Sequence, residues 1–149
     1  MWEVLLIMIP LVIGAMMLWN ATMTDKAPVE PTVATSAPSV EQYVRTFYTD
    51  TPVLAEIARC ESRFRQFDEK GQLLRGEAVS QDIGVMQINE YFHAKAAKDL
   101  GYDLKTIDGN LGYAQYLYGK EGTAPWKPSQ NCWGKTAAAQ SAKVAVAKK

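Results

Sequence analysis

The sequence predicts an α+β domain, mostly α-helical, that follows an N-terminal transmembrane helix and a linker rich in Pro and Thr. Three observations support this prediction. An uncharged apolar run near the N-terminus is followed by a Pro-rich stretch without apolar periodicity. Beyond that stretch, apolar residues recur at helical spacing between helix start and stop signals. One segment rich in turn residues interrupts the helices, and we expect a small β element there.

Composition excludes several classes of protein. The 149 residues carry 16 Lys and Arg against 16 Asp and Glu, so the chain has no net basic charge to hold nucleic acid. One His and two Cys are too few for a four-thiolate zinc site or for a site with two imidazoles. No Gly-rich phosphate loop of the usual spacing is present. We therefore expect no metal, no cofactor and no nucleic-acid partner.

Residues 1–23 are expected to form a transmembrane anchor. Residues 4–19 are apolar and uncharged, and the stretch extended to residue 23 reaches the ~20 residues that span a bilayer. Trp2 and Trp19 bracket it, as aromatic residues often do at the membrane interface. A cleaved signal peptide is the alternative. It would require a basic start and a small-x-small cleavage site, and neither is evident in the sequence.

Two segments of biased composition flank the folded domain, which is expected over residues 39–134. Residues 24–38 form a linker in which several prolines favour extended backbone. Residues 135–149 form an Ala- and Lys-rich tail, with the sequence KTAAAQSAKVAVAKK. We expect this tail to be disordered.

The folded domain is expected to open with two helices. Ser39 and Gln42 have the spacing of a capping box, so the first helix begins after Ser39. Thr51 is suited to cap a second helix, with Pro52 at its first position.

The second helix carries an unusual acid. Its apolar stripe contains Leu54, Ile57 and Ala58, and the next position on the same stripe is Glu61. Burial and the negative end of the helix dipole both raise the pKa of a carboxyl group. A general acid that works at neutral pH needs such a raised pKa, and glycoside cleavage is the chemistry most associated with it.

The remaining elements follow from turn and cap signals. Residues 72–79 are expected to form a short, irregular hairpin. Asn89 is suited to cap a third helix, and Gly101 fits the position just after its end. A fourth helix is expected to begin at Asp108 or Gly109.

Three segments carry a family resemblance. They are residues 58–64 (ARCESRF), 84–89 (GVMQIN) and 110–117 (NLGYAQYL). In this order they resemble the Glu-Ser helix end, the Gly-Leu-Met-Gln motif and the later Asn-containing helix of the lytic transglycosylase (SLT-domain) family. The resemblance extends over roughly residues 51–133.

The resemblance implies a lysozyme-like fold with a saccharide groove between a helical lobe and a small β lobe. It implies that Glu61 is the single acid and base. Cleavage would fall between N-acetylmuramic acid and N-acetylglucosamine of peptidoglycan and would close a 1,6-anhydro ring. The side chains expected near the substrate are Ser62, Met86, Gln87, Asn110, Tyr113 and Trp126.

One departure from the family pattern leaves the reaction outcome open. Many members carry a Tyr-Asn pair whose Tyr contacts the catalytic Glu, and residues 122–133 contain no such pair. A lysozyme-type hydrolase is therefore the alternative, with a second carboxylate that positions water. The acids available for that role are Asp68, Glu77, Asp82 and Glu90. A non-catalytic protein that binds the cell wall is a third hypothesis.

Cys60 and Cys132 are expected to form a disulfide that ties the terminal segment of the domain to the helix of Glu61. Two free thiols are one alternative, and a protease built on Cys60 and His93 is another. The protease is disfavoured because a nucleophilic thiol is activated at a helix N-terminus, whereas Cys60 lies near a C-terminus. A disulfide indicates an oxidising compartment.

These expectations together give a location and a set of partners. The protein is expected to be held in the membrane by its N-terminal helix, with the catalytic domain on the extracytoplasmic side. Its partner would be the glycan strands of peptidoglycan, and an envelope or secretion assembly is a further candidate.

Overall fold

The computed structural model describes residues 37–147. Within this range the chain forms six α-helices, one 3₁₀ helix and one two-stranded sheet, so the α+β, mostly α class is confirmed. The order is α1 Val40–Phe47, α2 Pro52–Ser62, β1 Asp82–Ile83, β2 Ile88–Asn89, α3 Glu90–Asp99, α4 Ile107–Glu121, the 3₁₀ helix Ala124–Ser129, α5 Gln130–Trp133 and α6 Ala137–Ala147.

Helix α1 begins at the predicted capping box. The Ser39 hydroxyl accepts a hydrogen bond from the Gln42 amide at 3.2 Å, and the Gln42 side chain accepts one from the Ser39 amide at 2.9 Å. These two bonds satisfy backbone donors that a helix start otherwise leaves unpaired. The prediction for α1 is therefore confirmed.

Helix α2 is the central element of the domain. It packs against α1, α5, α6 and the 3₁₀ helix, and its buried side chains include Leu54, Ile57 and Ala58 as predicted. Pro52 lies at its first position, but Thr51 makes no side-chain cap bond. The Thr51 hydroxyl instead donates to the Gln115 side chain at 2.8 Å, which joins α2 to α4.

The β element lies further along the chain than predicted. Strands β1 and β2 pair antiparallel, with Ile83 opposite Ile88, and both isoleucines are buried. The hairpin expected at 72–79 is wrong, because that segment forms only isolated bridges, one of them between Arg75 and Ile83. A strand pair needs an apolar face to bury, and residues 76–81 offer mostly exposed side chains, including Val79.

Helices α3 and α4 begin with side-chain caps. The Asn89 side chain accepts from the Phe92 amide at 3.3 Å, and Gly101 has the positive φ of +83° that the end of α3 requires. Helix α4 starts one residue before the predicted range because the Thr106 hydroxyl accepts from the Gly109 amide at 3.1 Å.

The expectation of a disordered tail is wrong for residues 137–147, which form α6. Alanine has the highest helix propensity, and the Thr136 hydroxyl caps the helix by accepting from the Ala139 amide at 3.2 Å. Ala139 is buried, and α6 packs against α2. Ala139, with the partly buried Ala138 and Ala142, thus extends the core.

Nowhere between residues 37 and 147 is there a helix with the length and apolar character that crossing a membrane requires. The anchor predicted for residues 1–23, and the part of the linker before residue 37, lie outside the described residues.

Candidate active site

A disulfide joins Cys60 to Cys132, with the two Cα atoms 6.0 Å apart, so the predicted pairing is confirmed. The free-thiol and protease alternatives are therefore wrong. The bond closes a loop of 72 residues, which the chain-entropy model values at about 4 kcal/mol of stability. Its local consequence is that the C-terminal segment is fixed beside the end of α2.

Glu61 is the next-to-last residue of α2, and its side chain is partly buried. Its Oε1 accepts a hydrogen bond from the Ser129 hydroxyl at 2.6 Å. Burial raises the pKa of Glu61, the Ser129 hydrogen bond lowers it, and the nearby charge of Asp82 raises it again. Burial is the largest of these effects, so the pKa of Glu61 is raised above the ordinary value for a glutamate.

Ser129 is a site residue that sequence reasoning missed. Its hydroxyl accepts from the Trp133 indole nitrogen at 3.0 Å while it contacts Glu61. The sequence contained a signal for this position, because Ser129 lies three residues before Cys132. Residues three apart are separated by about one helical turn and so lie on the same face of a helix. The pairing of Cys132 with Cys60, the neighbour of Glu61, therefore brings a hydroxyl to the carboxyl.

Two cavities meet at Glu61. The larger has a volume of about 470 Å³ and is lined by Glu61, Asp82, Gln87, His93, Trp126 and Ser129 among others. A second cavity of about 280 Å³ also contains Glu61 and Gln87 in its lining. Because Glu61 and Gln87 line both, the two cavities adjoin at these residues, and they are called here the two arms of the groove.

Gln87 is the predicted substrate residue that the structure places most clearly in the groove. It has a positive φ of +49°, which is unusual for a residue with a side chain. Its Nε2 donates to the Gly84 carbonyl at 2.9 Å. Such strained positions concentrate at functional sites, where the surrounding structure holds them.

Asn110 is buried and lies in the lining of neither arm. Its side-chain oxygen accepts from the Met86 amide at 2.8 Å, and its nitrogen donates to the carbonyls of Ile83 and Leu104. The expectation that Asn110 lies near the substrate is therefore not met, and the residue instead has a positioning role. It fixes the backbone of the segment that carries Gln87.

A second buried side-chain amide, that of Gln66, lies beside Asn110 and was not selected from the sequence. The Gln66 side chain accepts from the Val85 amide at 2.9 Å and donates to the Lys105 carbonyl at 3.0 Å. Gly84 lies against both amides with a φ of +73°. A Cβ at this position would come within 2.6 Å of the Gln66 and Asn110 side chains, so this turn requires glycine.

Ser62 and Met86 are also structural. Ser62 is buried, although it touches the lining of the smaller arm, and its hydroxyl lies 2.8 Å from the Val85 carbonyl. This bond joins the end of α2 to the segment of Gln87. Met86 is fully buried and does not line either arm, so the expectation that its side chain lies near the substrate is not met. Its carbonyl accepts from the Trp126 indole at 3.0 Å.

Trp126 and Tyr113 take different positions relative to the groove. Trp126 lines the larger arm but is only 3% exposed, so it forms part of a wall and not an open platform for a sugar ring. Tyr113 is buried behind the groove, and burial raises its pKa. Its hydroxyl lies 3.1 Å from Nδ1 of His93. His93, the one His of the chain, lines the larger arm, whereas the sequence analysis considered it only in the disfavoured protease alternative.

Residues 37–147 contain no group of three or more His, Cys, Asp or Glu side chains placed to hold a metal ion. Comparisons with protein-family models, with curated proteins and with solved structures gave no significant match to this chain. The function of the chain is therefore inferred from the geometry of the groove and from the resemblance of the three sequence segments to the lytic transglycosylase family.

Proposed function

We propose that this protein is a peptidoglycan lytic transglycosylase with a lysozyme-like domain, in which Glu61 acts as both acid and base. The observation that carries the proposal is the position of Glu61. Its carboxyl lies between the arms of a groove, is partly buried and has a raised pKa. A raised pKa favours the protonated form of a carboxyl group, which is the form that a general acid needs.

The reaction has two proton transfers at one carboxyl group. Protonated Glu61 first gives its proton to the glycosidic oxygen between N-acetylmuramic acid and N-acetylglucosamine, and the bond to the leaving sugar breaks. The resulting carboxylate then takes the proton of the muramoyl C6 hydroxyl as that oxygen bonds to C1. The 1,6-anhydro ring closes, Glu61 regains its proton, and no water is consumed.

The surroundings of Glu61 suit this double role. Ser129 holds Oε1, whereas Oε2 has no hydrogen-bond partner among residues 37–147. The second oxygen is thus available to the substrate. During the carboxylate stage the Ser129 hydroxyl stabilises the negative charge, because hydrogen bonds to a charged acceptor are stronger than bonds to a neutral one.

A lysozyme-type hydrolase is the second candidate, and Asp82 is the observation that favours it. Asp82 lines the same arm of the groove as Glu61, and its charge contributes to the raised pKa of Glu61. The Asn89 side chain donates to Asp82 Oδ1 at 2.8 Å and holds the carboxylate in place. In a hydrolase, Asp82 would activate the water that attacks C1.

The experiment that tests the proposal compares Glu61→Gln with wild type on purified peptidoglycan. Gln keeps the size and hydrogen bonding of Glu but transfers no proton. Activity should fall at least about 100-fold, since acid–base catalysis is worth about 10²–10⁴-fold. Glu69→Gln is the matched control, because Glu69 is an exposed acid outside the groove. A fall of less than tenfold for Glu61→Gln would contradict the assignment.

The position of the polymer sets the location that we propose for the protein. Peptidoglycan lies outside the cytoplasmic membrane, so the domain must lie on that side as well. We propose that residues 1–23 anchor the chain in the membrane and that residues 24–38 separate the domain from it. The disulfide between Cys60 and Cys132 supports an oxidising, extracytoplasmic compartment.

A further inference from the structure

The two arms of the groove differ in chemical character. The larger arm includes apolar side chains such as Leu117 and Trp126. The smaller arm, on the other side of Glu61, is lined instead by arginines, among them Arg63 and Arg65. Three of the five arginines of the chain thus line one arm of the groove.

Two of the arginines in the smaller arm are free to bind a ligand. Arg75 also lines this arm, but it is paired with Glu90 at 2.6 Å. Arg63 and Arg65 form no ion pair with any residue between 37 and 147. The lining also contains two acids, Glu61 and Glu77, so Arg63 and Arg65 outnumber the charged acids when Glu61 is protonated, as the proposed function requires of the free enzyme.

The backbone that carries Arg63 and Arg65 forms a defined turn after α2. Arg63 and Phe64 both have the left-handed conformation, with φ of +56° and +60°. The turn is held by burial of Phe64 and by the Ser62 hydroxyl, which accepts from the Arg65 amide at 3.0 Å. Arg65 Nε in turn donates to the Ser62 carbonyl at 3.0 Å. The outer nitrogens of Arg65 have no partner among the described residues and remain available to an anion.

We propose that the smaller arm binds carboxylates of the peptides attached to the muramoyl residues, so that the protein prefers glycan whose peptides carry free carboxylates over glycan whose peptide carboxylates are amidated. The identity of the polymer rests on the proposed function. Where a peptide is attached, the lactyl carboxyl of the muramoyl residue is an amide, so the sugar part of the strand gives free guanidinium groups no charged partner. The stem peptides carry carboxylates, and a guanidinium binds a carboxylate through two parallel hydrogen bonds.

The test measures binding to the full-length protein in a neutral detergent, in the Glu61→Gln background so that no probe is cleaved. One probe is a glycan oligomer whose peptides have free carboxylates, and the other is the same oligomer with those carboxylates converted to neutral amides. We expect the free-carboxylate probe to bind about tenfold more tightly. The difference should shrink as ionic strength rises from about 0.1 M to about 1 M, because salt screens partly exposed charges.

The decisive variant is the double substitution Arg63→Gln with Arg65→Gln. It should reduce the preference for the free-carboxylate probe to about twofold or less. The matched control, Lys70→Gln with Lys135→Gln, removes the same charge from exposed sites outside the groove and should keep the preference. These substitutions keep an unbranched polar side chain at every position.

Three outcomes would overturn the inference. They are equal binding of the two probes, a preference that survives the arginine substitutions, and tighter binding of a glycerol-phosphate oligomer than of the carboxylate probe. The result is independent of catalysis. If the protein prefers the free-carboxylate probe in an arginine-dependent way but cleaves no glycan, the proposed function is refuted and this inference stands. Cleavage without any preference would refute this inference alone.

Discussion

The Ser129 hydroxyl is the one side-chain group in the described part of the chain that hydrogen-bonds to the Glu61 carboxyl. The indole nitrogen of Trp133 donates to Ser129 Oγ at 3.0 Å and to the Trp126 carbonyl at 3.2 Å. If the Ser129 hydroxyl is removed, the buried Trp133 indole therefore keeps the Trp126 carbonyl as its hydrogen-bond partner. Ser129 is thus a position at which the environment of Glu61 can be changed without a broad effect on the core.

Ser129→Ala should lower kcat by about tenfold, since a hydrogen bond to a charged group is worth about 1.5–3 kcal/mol. It should also change the pH profile. Glu61 must be protonated in the free enzyme, so kcat/KM falls as pH rises through its pKa. The Ser129 hydrogen bond lowers that pKa, and its loss should raise it. The alkaline limb of kcat/KM should therefore move to higher pH.

The control for this measurement is Ser141→Ala, at an exposed position on α6. Its pH profile should match that of wild type. An alkaline limb that stays in place or moves to lower pH in Ser129→Ala would show that Ser129 does not act on the titration of Glu61.

At the scale of single elements, the sequence predicted helices well and the β element poorly. Capping signals at Ser39 and Asn89 placed two helix starts correctly, because a cap depends on a few neighbouring residues. The strand pair was missed because each strand has only two residues. Its position depends on contacts with distant parts of the chain, including the bonds from Asn110 on α4 to the Ile83 carbonyl and the Met86 amide.

The segment between Ile83 and Gln87 should depend on Asn110 for its conformation. Asn110→Ala would leave the Met86 amide and two carbonyls without this partner inside the protein. We expect a loss of about 3 kcal/mol in the free energy of unfolding, because unsatisfied buried groups cost about 1–3 kcal/mol each and the site can partly relax. Urea unfolding measures it, with the exposed Asn131→Ala as control. A loss below about 0.5 kcal/mol would refute the positioning role.

The short C-terminal elements should depend on the disulfide. The double variant Cys60→Ser with Cys132→Ser removes the bond, and we expect the free energy of unfolding to fall by about 2–4 kcal/mol. Activity should fall by more than the fraction of unfolded protein explains, because the disulfide keeps Ser129 near Glu61. The check is to assay the variant at a temperature where circular dichroism shows it to be folded. Full activity there would mean that the bond does not position the site.

At the scale of the whole molecule, the sequence predicted the disulfide and the partly buried position of Glu61 but not the details of the groove. Glu61 could be selected because its position on an apolar stripe is a local property of α2. Ser129 and His93 reach the groove only through the folding of distant segments. The tail was misjudged because its composition favours both a solvated chain and a helix, and the packing of Ala139 on the core determines which forms.

The proposed function requires the domain to lie outside the cytoplasm. A reporter fused after Lys149 should therefore register as extracytoplasmic, although the charges beside residues 1–23 specify this orientation only weakly. Enzymatic reporters active on one side of the membrane measure it. A cytoplasmic signal would separate the domain from peptidoglycan and contradict the proposed function.

The most direct test of the central claim is the mass of the products released from purified peptidoglycan by the full-length protein. Because Glu61 is proposed to take the proton of the muramoyl C6 hydroxyl, each new muramoyl end should be a 1,6-anhydro sugar. Such an end is lighter by one water than a hydrolysed end. Anhydro products that disappear with Glu61→Gln are the result we predict. Reducing ends that carry the added water, and that depend on Asp82, would show a hydrolase instead. The absence of any released product would contradict an enzymatic role for Glu61.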